Sequence, residues 1–164
     1  LGNFTDLGSK EPKYKPVTGT GNLPSLSHHK CAVWLPNGNC VSGTKDGEIW
    51  LWKDASYQWH NQAHKTALSV LTLRSDGKRL LSGSLNGTII EWNVESETPV
   101  PMSRRTIPST DMRSVGIKAL DCYPGSEIYM VGTTQSDIWE VDNDPEPVII
   151  GHSERLHAVA PKPG

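Results

Sequence analysis

SGTKDGEIWLW at residues 42–52 decides the fold, because the pattern returns as SGSLNGTIIEW at 82–92 and, altered, as VGTTQSDIWEV at 131–141. Trp52 and Trp92 are 40 residues apart, and Val141 follows Trp92 by 49 residues. Recurrence at such an interval indicates one supersecondary unit repeated along the chain. The nine additional residues in the second interval fall in 94–114, whose Ser, Thr, Pro and charged residues predict an extended surface connection.

Turn residues divide each unit into strands. Asp46-Gly47 and Asn86-Gly87 lie between apolar runs, and these dipeptides accept the positive φ of a tight hairpin. A second turn lies upstream in each unit, at 36–38, 75–77 and 124–126. The pattern predicts three strands in each unit, with a fainter fourth near 56–59, 99–102 and 147–150.

Histidines ahead of the units make them resemble WD repeats, the four-stranded blades of β-propellers. In that family a histidine, a serine or threonine, an aspartate and a tryptophan form a hydrogen-bonded tetrad. The resemblance assigns these roles in the second unit to His64, Ser82, Asn86 and Trp92, with asparagine in place of aspartate. In the first unit it assigns them to His28 or His29, with His29 preferred, and to Ser42, Asp46 and Trp52. The third unit has Gln135 and Val141 at the last two positions, and we expect no tetrad there.

The predicted fold is therefore all-β: a WD-repeat propeller fragment of three four-stranded blades and the start of a fourth. We assign residues 1–26 to a linker or the end of a preceding blade, and 150–164 to the first strand of a further blade. The three blades are assigned to 27–60, 61–103 and 104–149, the last being degenerate with a long leading loop. Because propellers close with 4–8 blades, we expect this chain to be part of a longer protein.

Composition narrows the functional classes. The net charge is −2 and the pI is about 6.3, which predicts no nucleic-acid partner. No apolar run approaches a membrane span, so we expect no membrane association. The three cysteines are odd in number and lack CxxC spacing, which disfavours a disulfide framework. Cys31, Cys40 and the histidines at 28 and 29 could hold zinc only in an unusual spacing, so we predict neither metal nor cofactor.

No catalytic motif occurs in the sequence. Gly-x-Ser-x-Gly, GxxxxGK[ST] and HExxH are all missing, and GTGN at 19–22 predicts a turn. We therefore predict a non-catalytic binding scaffold without a small-molecule substrate.

Three phrases resemble blades of the echinoderm microtubule-associated protein-like family. They are LPNGNCVSGTKDGEIWLWK at 35–53, QAHKTALSVLTLRSDGKRLLSGSLNGTIIEWN at 62–93, and GIKALDCYPGSEIYMVGTTQSDIWEV at 116–141. That family has an Ala-His pair opening one blade and a following blade without its terminal tryptophan. Its expected tryptophan and His-Pro after Gly151-His152 are not in this chain.

This resemblance implies tubulin or microtubule binding in the cytoplasmic cytoskeleton, with the cilium as one setting. Tubulin presents an acidic surface, so basic residues on loops are the candidate contacts: Lys45, Lys65, Arg104, Arg105 and Arg113. The alternative is a general WD-repeat protein-protein assembly scaffold whose partner is unrelated, for example a ciliary or signalling complex.

Overall fold

Twelve strands form three separate four-stranded sheets in the computed structural model, which describes residues 27–54, 56–109, 115–142 and 145–149. The first blade contains β1 (His29–Trp34), β2 (Cys40–Thr44), β3 (Glu48–Lys53) and β4 (Ser56–Gln62). The second contains β5 (Leu68–Leu73), β6 (Arg79–Ser84), β7 (Thr88–Asn93) and β8 (Val100–Thr106). The third contains β9 (Ile117–Cys122), β10 (Tyr129–Thr133), β11 (Ile138–Val141) and β12 (Pro145–Ile149).

Each blade is an antiparallel meander in which every strand pairs with the next along the chain. The repeated phrases form the middle hairpins: Ser42 lies opposite Trp50, and Ser82 opposite Ile90. The all-β fold of three propeller blades is therefore confirmed. The segments assigned to a preceding element, 1–26, and to a fourth blade, 150–164, lie outside the described residues.

The outer strand of the second blade differs from the expected surface connection. β8 runs from Val100 to Thr106 and pairs with β7 from Asn93 back to Thr88. The alternation is weak because this edge strand leaves most of its side chains exposed. An edge strand forms through hydrogen bonds between backbone groups. The pattern of side chains in the sequence therefore does not predict its full length.

Two apolar cores hold the blades together, one at each seam between neighbouring sheets. Between the first and second blades, Val41, Ile49 and Leu51 meet Leu68, Leu80 and Trp92. Between the second and third, the core contains Leu81, Ile89, Ile107, Val115, Ile117, Leu120, Tyr129, Val131, Trp139 and Val141. The second sheet is thus a layer whose two faces serve two different cores.

The blades present two rims. The hairpin rim is the edge where the second strand of each blade turns into the third. The chain also passes from one blade to the next at this edge. The three hairpins lie at Thr44–Glu48, Ser84–Thr88 and Thr133–Ile138. The turn rim is the opposite edge, where the first strand turns into the second. Across the seams between blades, β5 contacts β1 on one side and β9 on the other. These three first strands are therefore the innermost strands of their blades.

Gly47 shows how tightly the hairpin rim is built. Its φ is 87°, and a Cβ placed there would lie 2.3 Å from the carbonyl oxygen of His64. Gly38, at the other rim, has a φ of 82° with no atom within 4 Å of the same position. The positive φ favours glycine at both positions. At Gly47 the close carbonyl oxygen of His64 also leaves no space for a Cβ.

We expect Gly47→Ala to be more destabilising than Gly38→Ala. Both substitutions incur the left-handed backbone cost of about 1–2 kcal/mol, and Gly47→Ala adds a clash of about 1–3 kcal/mol, the range for overpacking. Urea unfolding of the full-length protein measures the difference, with Gly38→Ala as the matched control. Equal free energies of unfolding would show that the close approach to His64 does not constrain this hairpin.

Candidate interaction surface

The Ser82 hydroxyl connects two buried side chains in the second blade. Ser82 Oγ lies 2.8 Å from His64 Nε2, and Trp92 Nε1 donates to the same oxygen at 2.8 Å. All three side chains are buried. Because the indole can only donate, the hydroxyl accepts from Trp92, and it shares a second hydrogen bond with His64 Nε2.

The first blade repeats this arrangement with a more open histidine. Ser42 Oγ lies 3.0 Å from His29 Nδ1, and Trp52 Nε1 donates to it at 2.7 Å. Trp50 stacks on Trp52 with ring centroids 5.6 Å apart and on His60 at 5.0 Å. Of the two histidines considered from the sequence, His29 therefore contacts the serine.

The fourth proposed member of each tetrad lies elsewhere. Asp46 accepts a hydrogen bond from Ser27 Oγ, and Asn86 Oδ1 accepts one from Ser84 Oγ at 2.5 Å. His64 Nδ1 is buried without a hydrogen-bond partner. In each of the first two blades the structure thus brings together three of the four residues. Asn86 bonds within its own hairpin, whereas Asp46 bonds to Ser27, ahead of β1. In the third blade, Val141 packs in the second core.

Hydrogen bonds join the first hairpin to the segment that leads into the second blade. The Gly47 carbonyl accepts from Ala63 N at 3.2 Å and His64 N at 2.9 Å. Gln62 Nε2 donates to the Asp46 carbonyl at 2.7 Å. Lys45 and Lys65 flank this junction, and both are exposed. Their backbone is therefore held in place while their ammonium groups reach solvent.

The expected arginine contacts are placed on a strand, not on a loop. Arg104 and Arg105 lie in β8 and point toward opposite neighbours: Arg104 Nη2 donates to the Ala63 carbonyl at 3.0 Å, and Arg105 Nη1 donates to the Asp142 carbonyl. Sequence reasoning missed these contacts, because they depend on how blades are placed beside one another. Arg113 lies outside the described residues.

A groove of about 250 Å³ opens beside Arg104, between the end of β4 and the outer strand β8. Trp92 and Ile90 form its apolar lining, and Arg104 and Gln62 contribute polar groups. Met102, which also lines it, is 56% exposed. The groove is therefore an open, mixed surface next to the basic side chains.

The turn rim carries a buried arginine that the sequence did not single out. Arg74 Nε donates to Glu91 Oε1 at 2.7 Å, and Arg74 Nη1 donates to the carbonyls of Ser126 and Glu127 in the third blade. Its guanidinium lies 5.4 Å from the Tyr129 ring centroid. Arg79 adds a two-pronged contact to Glu127. Together these side chains clamp the second blade to the third, beside a cavity of about 180 Å³.

The part of the chain that the structure describes contains neither a cluster of metal ligands nor a membrane-spanning helix. There, no group of three or more His, Cys, Asp or Glu side chains could hold a metal ion. Cys31, Cys40 and Cys122 are free thiols. Burial raises the pKa of the Cys31 thiol to about 11. Among the same residues, no helix has the length and apolar character needed to cross a bilayer.

Comparison with known families identifies the repeats. The family described as WD domain, G-beta repeat, matches residues 22–53 and 56–93, which include the first blade and most of the second. The chain therefore contains WD repeats and folds as blades of a WD-repeat propeller. Such propellers generally act as scaffolds, not as catalysts.

Two curated relatives share sequence with about half of the chain. The periodic tryptophan protein 2 homolog of Schizosaccharomyces pombe is 32% identical over 84 residues, covering 50% of this chain and 9% of that protein. The U3 small nucleolar RNA-associated protein 12 of Saccharomyces cerevisiae is 32% identical over 106 residues, covering 54% of this chain and 11% of that protein. The matches thus span about a tenth of the length of these relatives.

Solved structures support the fold. The RRP9 WD40 repeats superpose with a TM-score of 0.64 at 18% identity, covering 80% of this chain and 41% of that one. The structure of U3-55K gives 0.65 at 18% identity, covering 80% and 42%. At this identity the likeness concerns the blades alone.

The expected partner and location are corrected by these comparisons. Tubulin partners, the exclusion of nucleic acid and a cytoplasmic, cytoskeletal location are wrong: a relative found by sequence is named for its association with U3 small nucleolar RNA. The resemblance to the microtubule-associated family consists of short strand and turn motifs. Such motifs determine the geometry of a blade and do not identify its partner.

We expect Ser82→Ala to be more destabilising than Ser42→Ala. Removing the Ser82 hydroxyl leaves His64 Nε2 and Trp92 Nε1 buried without partners, which costs about 2 kcal/mol or more. Ser42→Ala should cost under about 1 kcal/mol, because water reaches the exposed His29. Chemical denaturation of the two variants of the full-length protein tests this order, and a reversed order would contradict the bridging role of Ser82.

His64 should make stability fall in mild acid. Burial, reinforced by the positive charge of Arg104, lowers the pKa of His64 to about 4 from its usual 6.5. Because the folded-state pKa is depressed, this contribution is fully present above pH 6.5 and is lost as the pH falls from 6.5 toward 4. The loss should reach about 3 kcal/mol.

The measurement is the free energy of unfolding of the wild type and His64→Gln across this pH range. The variant cannot gain the imidazolium charge, so its curve should be flatter between pH 6.5 and 4. Parallel curves would contradict the assignment to His64, and His28→Gln, at an exposed position, is the matched control.

Proposed function

We propose that this chain is part of a non-catalytic WD-repeat scaffold that assembles proteins in a U3-type nucleolar complex containing RNA. The observation that carries the proposal is the junction at the hairpin rim. There, hydrogen bonds to the Gly47 carbonyl fix two consecutive blades while Lys45 and Lys65 remain exposed. Surfaces on fixed backbone bind partners with little reordering cost.

The nature of the complex follows from the relative found by sequence. A match of 106 residues at 32% identity connects the chain to a protein associated with U3 small nucleolar RNA. The match covers a small part of that protein, so the role of the whole protein is carried over here only as a proposal. This match supports the alternative considered from the sequence, an assembly scaffold, and we propose a ribonucleoprotein as the assembly that it serves.

The experiment is affinity purification of the full-length tagged protein from cells of its source organism. We expect U3 small nucleolar RNA and several proteins to be enriched over an unrelated WD-repeat bait expressed at the same level. Proteins that remain after ribonuclease treatment would be direct protein partners of the scaffold. Recovery of the bait without enriched U3 RNA, together with its exclusion from the nucleolus, would overturn the proposal.

A further inference from the structure

The two rims of the blades differ in charge. Among the described residues, the half of each sheet next to the hairpin rim carries six basic side chains, Lys30, Lys45, Lys65, Arg104, Arg105 and Lys118. It carries three acidic ones, Asp46, Glu48 and Asp137. The half next to the turn rim carries ten acidic residues and four basic ones, Lys53, Arg74, Lys78 and Arg79. Within the described residues, a small negative net charge therefore averages over two surfaces of opposite sign.

Ion pairing follows the same division. Within the described residues every salt bridge lies in the turn-rim half, where Arg74, Lys78 and Arg79 pair with Asp76, Glu91, Glu95 and Glu127. At the hairpin rim, Lys30, Lys45, Lys65 and Lys118 are exposed, and none forms a salt bridge with a described residue.

Among the described residues, the acidic residues of the hairpin rim form no salt bridge with these cations. Asp137 is 3% exposed and lies within its hairpin. Glu48 accepts a hydrogen bond from Trp50 Nε1 at 3.0 Å, and Asp46 accepts one from Ser27. Lys30, Lys45, Lys65 and Lys118 thus stand at the surface without a salt bridge to these carboxylates.

The basic residues extend from the centre of the blades to their outer edge. Lys30 and Lys118 occupy equivalent positions at the start of the innermost strands β1 and β9. Lys45 and Lys65 lie on the junction between the first two blades, and Arg104 lies on the outer strand β8. Charges spread across several blades suit a linear polyanion better than a compact anionic ligand.

We propose that the hairpin rim binds the phosphate backbone of RNA, with Lys45 and Lys65 at the centre of the contact. The proposal rests on the proposed function, which supplies the RNA-containing assembly. Lysines are point charges that contact phosphate oxygens without reading bases, so this surface adds affinity and orientation, and sequence specificity must come from elsewhere.

The test uses the full-length protein and labelled single-stranded polyuridine, with binding followed by fluorescence anisotropy over a series of salt concentrations. The variant is Lys45→Glu/Lys65→Glu, and the matched control is Lys53→Glu/Lys78→Glu, which makes the same charge change on exposed side chains of the turn rim. The hairpin-rim variant should bind about tenfold or more weakly, and its salt slope should fall by about 1.4, because each lost phosphate contact removes about 0.7. The control should bind as the wild type does.

Each other outcome overturns the proposal. Equal losses in both variants would show a general charge effect, and no binding by the wild type would remove RNA from this rim. Equal binding to polyglutamate of matched charge would assign the rim to an acidic protein segment. Circular dichroism checks that both variants are folded, and Lys45→Gln/Lys65→Gln, expected to show an intermediate loss, serves as a second variant.

The proposed function can fail separately. If purification recovers U3 RNA with the wild type and equally with Lys45→Glu/Lys65→Glu, and polyuridine binding is also unchanged, the rim assignment fails while the assembly role stands. If purification recovers no U3 RNA, the assembly role fails whatever the polyuridine result.

Discussion

The Ser82 hydroxyl is the contact on which the arrangement of the first two blades depends. It lies on the second strand of its blade, accepts from the tryptophan of the third strand, and shares a hydrogen bond with a histidine that precedes the first strand. One oxygen therefore connects the interior of a sheet to the segment that arrives from the previous sheet. Through His64 this connection also reaches Gly47, because the backbone N of His64 donates to the Gly47 carbonyl.

The hydrogen bonds inside the blade also determine where the backbone of the hairpin rim lies. A hairpin tied to the following segment cannot move independently of it, and both belong to a blade seam filled with apolar side chains. Exposed lysines on such backbone keep their relative positions. The polar interior of the blade thus determines where charges appear on the rim.

Features set by short-range pattern could be predicted from the sequence. The hairpins at Gly47 and Gly87 and the serine–tryptophan contacts of Ser42 and Ser82 depend on residues whose spacing repeats, since each serine lies 10 positions before its tryptophan. Arg74 could not be assigned in this way, since its partners at 126 and 127 belong to the next blade and become neighbours only after packing. The same holds for Arg104 and for β8, which is recognised by its backbone partner. The exclusion of nucleic acid was wrong for another reason: net charge is a sum, and it does not report that the two rims differ in sign.

The two seams between blades also differ in chemistry. Between the first and second blades the core is apolar, and its direct side-chain hydrogen bond across the innermost strands is the weak thiol contact from Cys31 to the Leu68 carbonyl at 3.8 Å. Between the second and third blades, hydroxyls of Ser69 and Thr72 donate to carbonyls of β9, and Arg79 pairs with Glu127. Apolar attraction weakens on cooling at both seams, but exposed ion pairs weaken in salt, so the second seam adds a dependence on ionic strength.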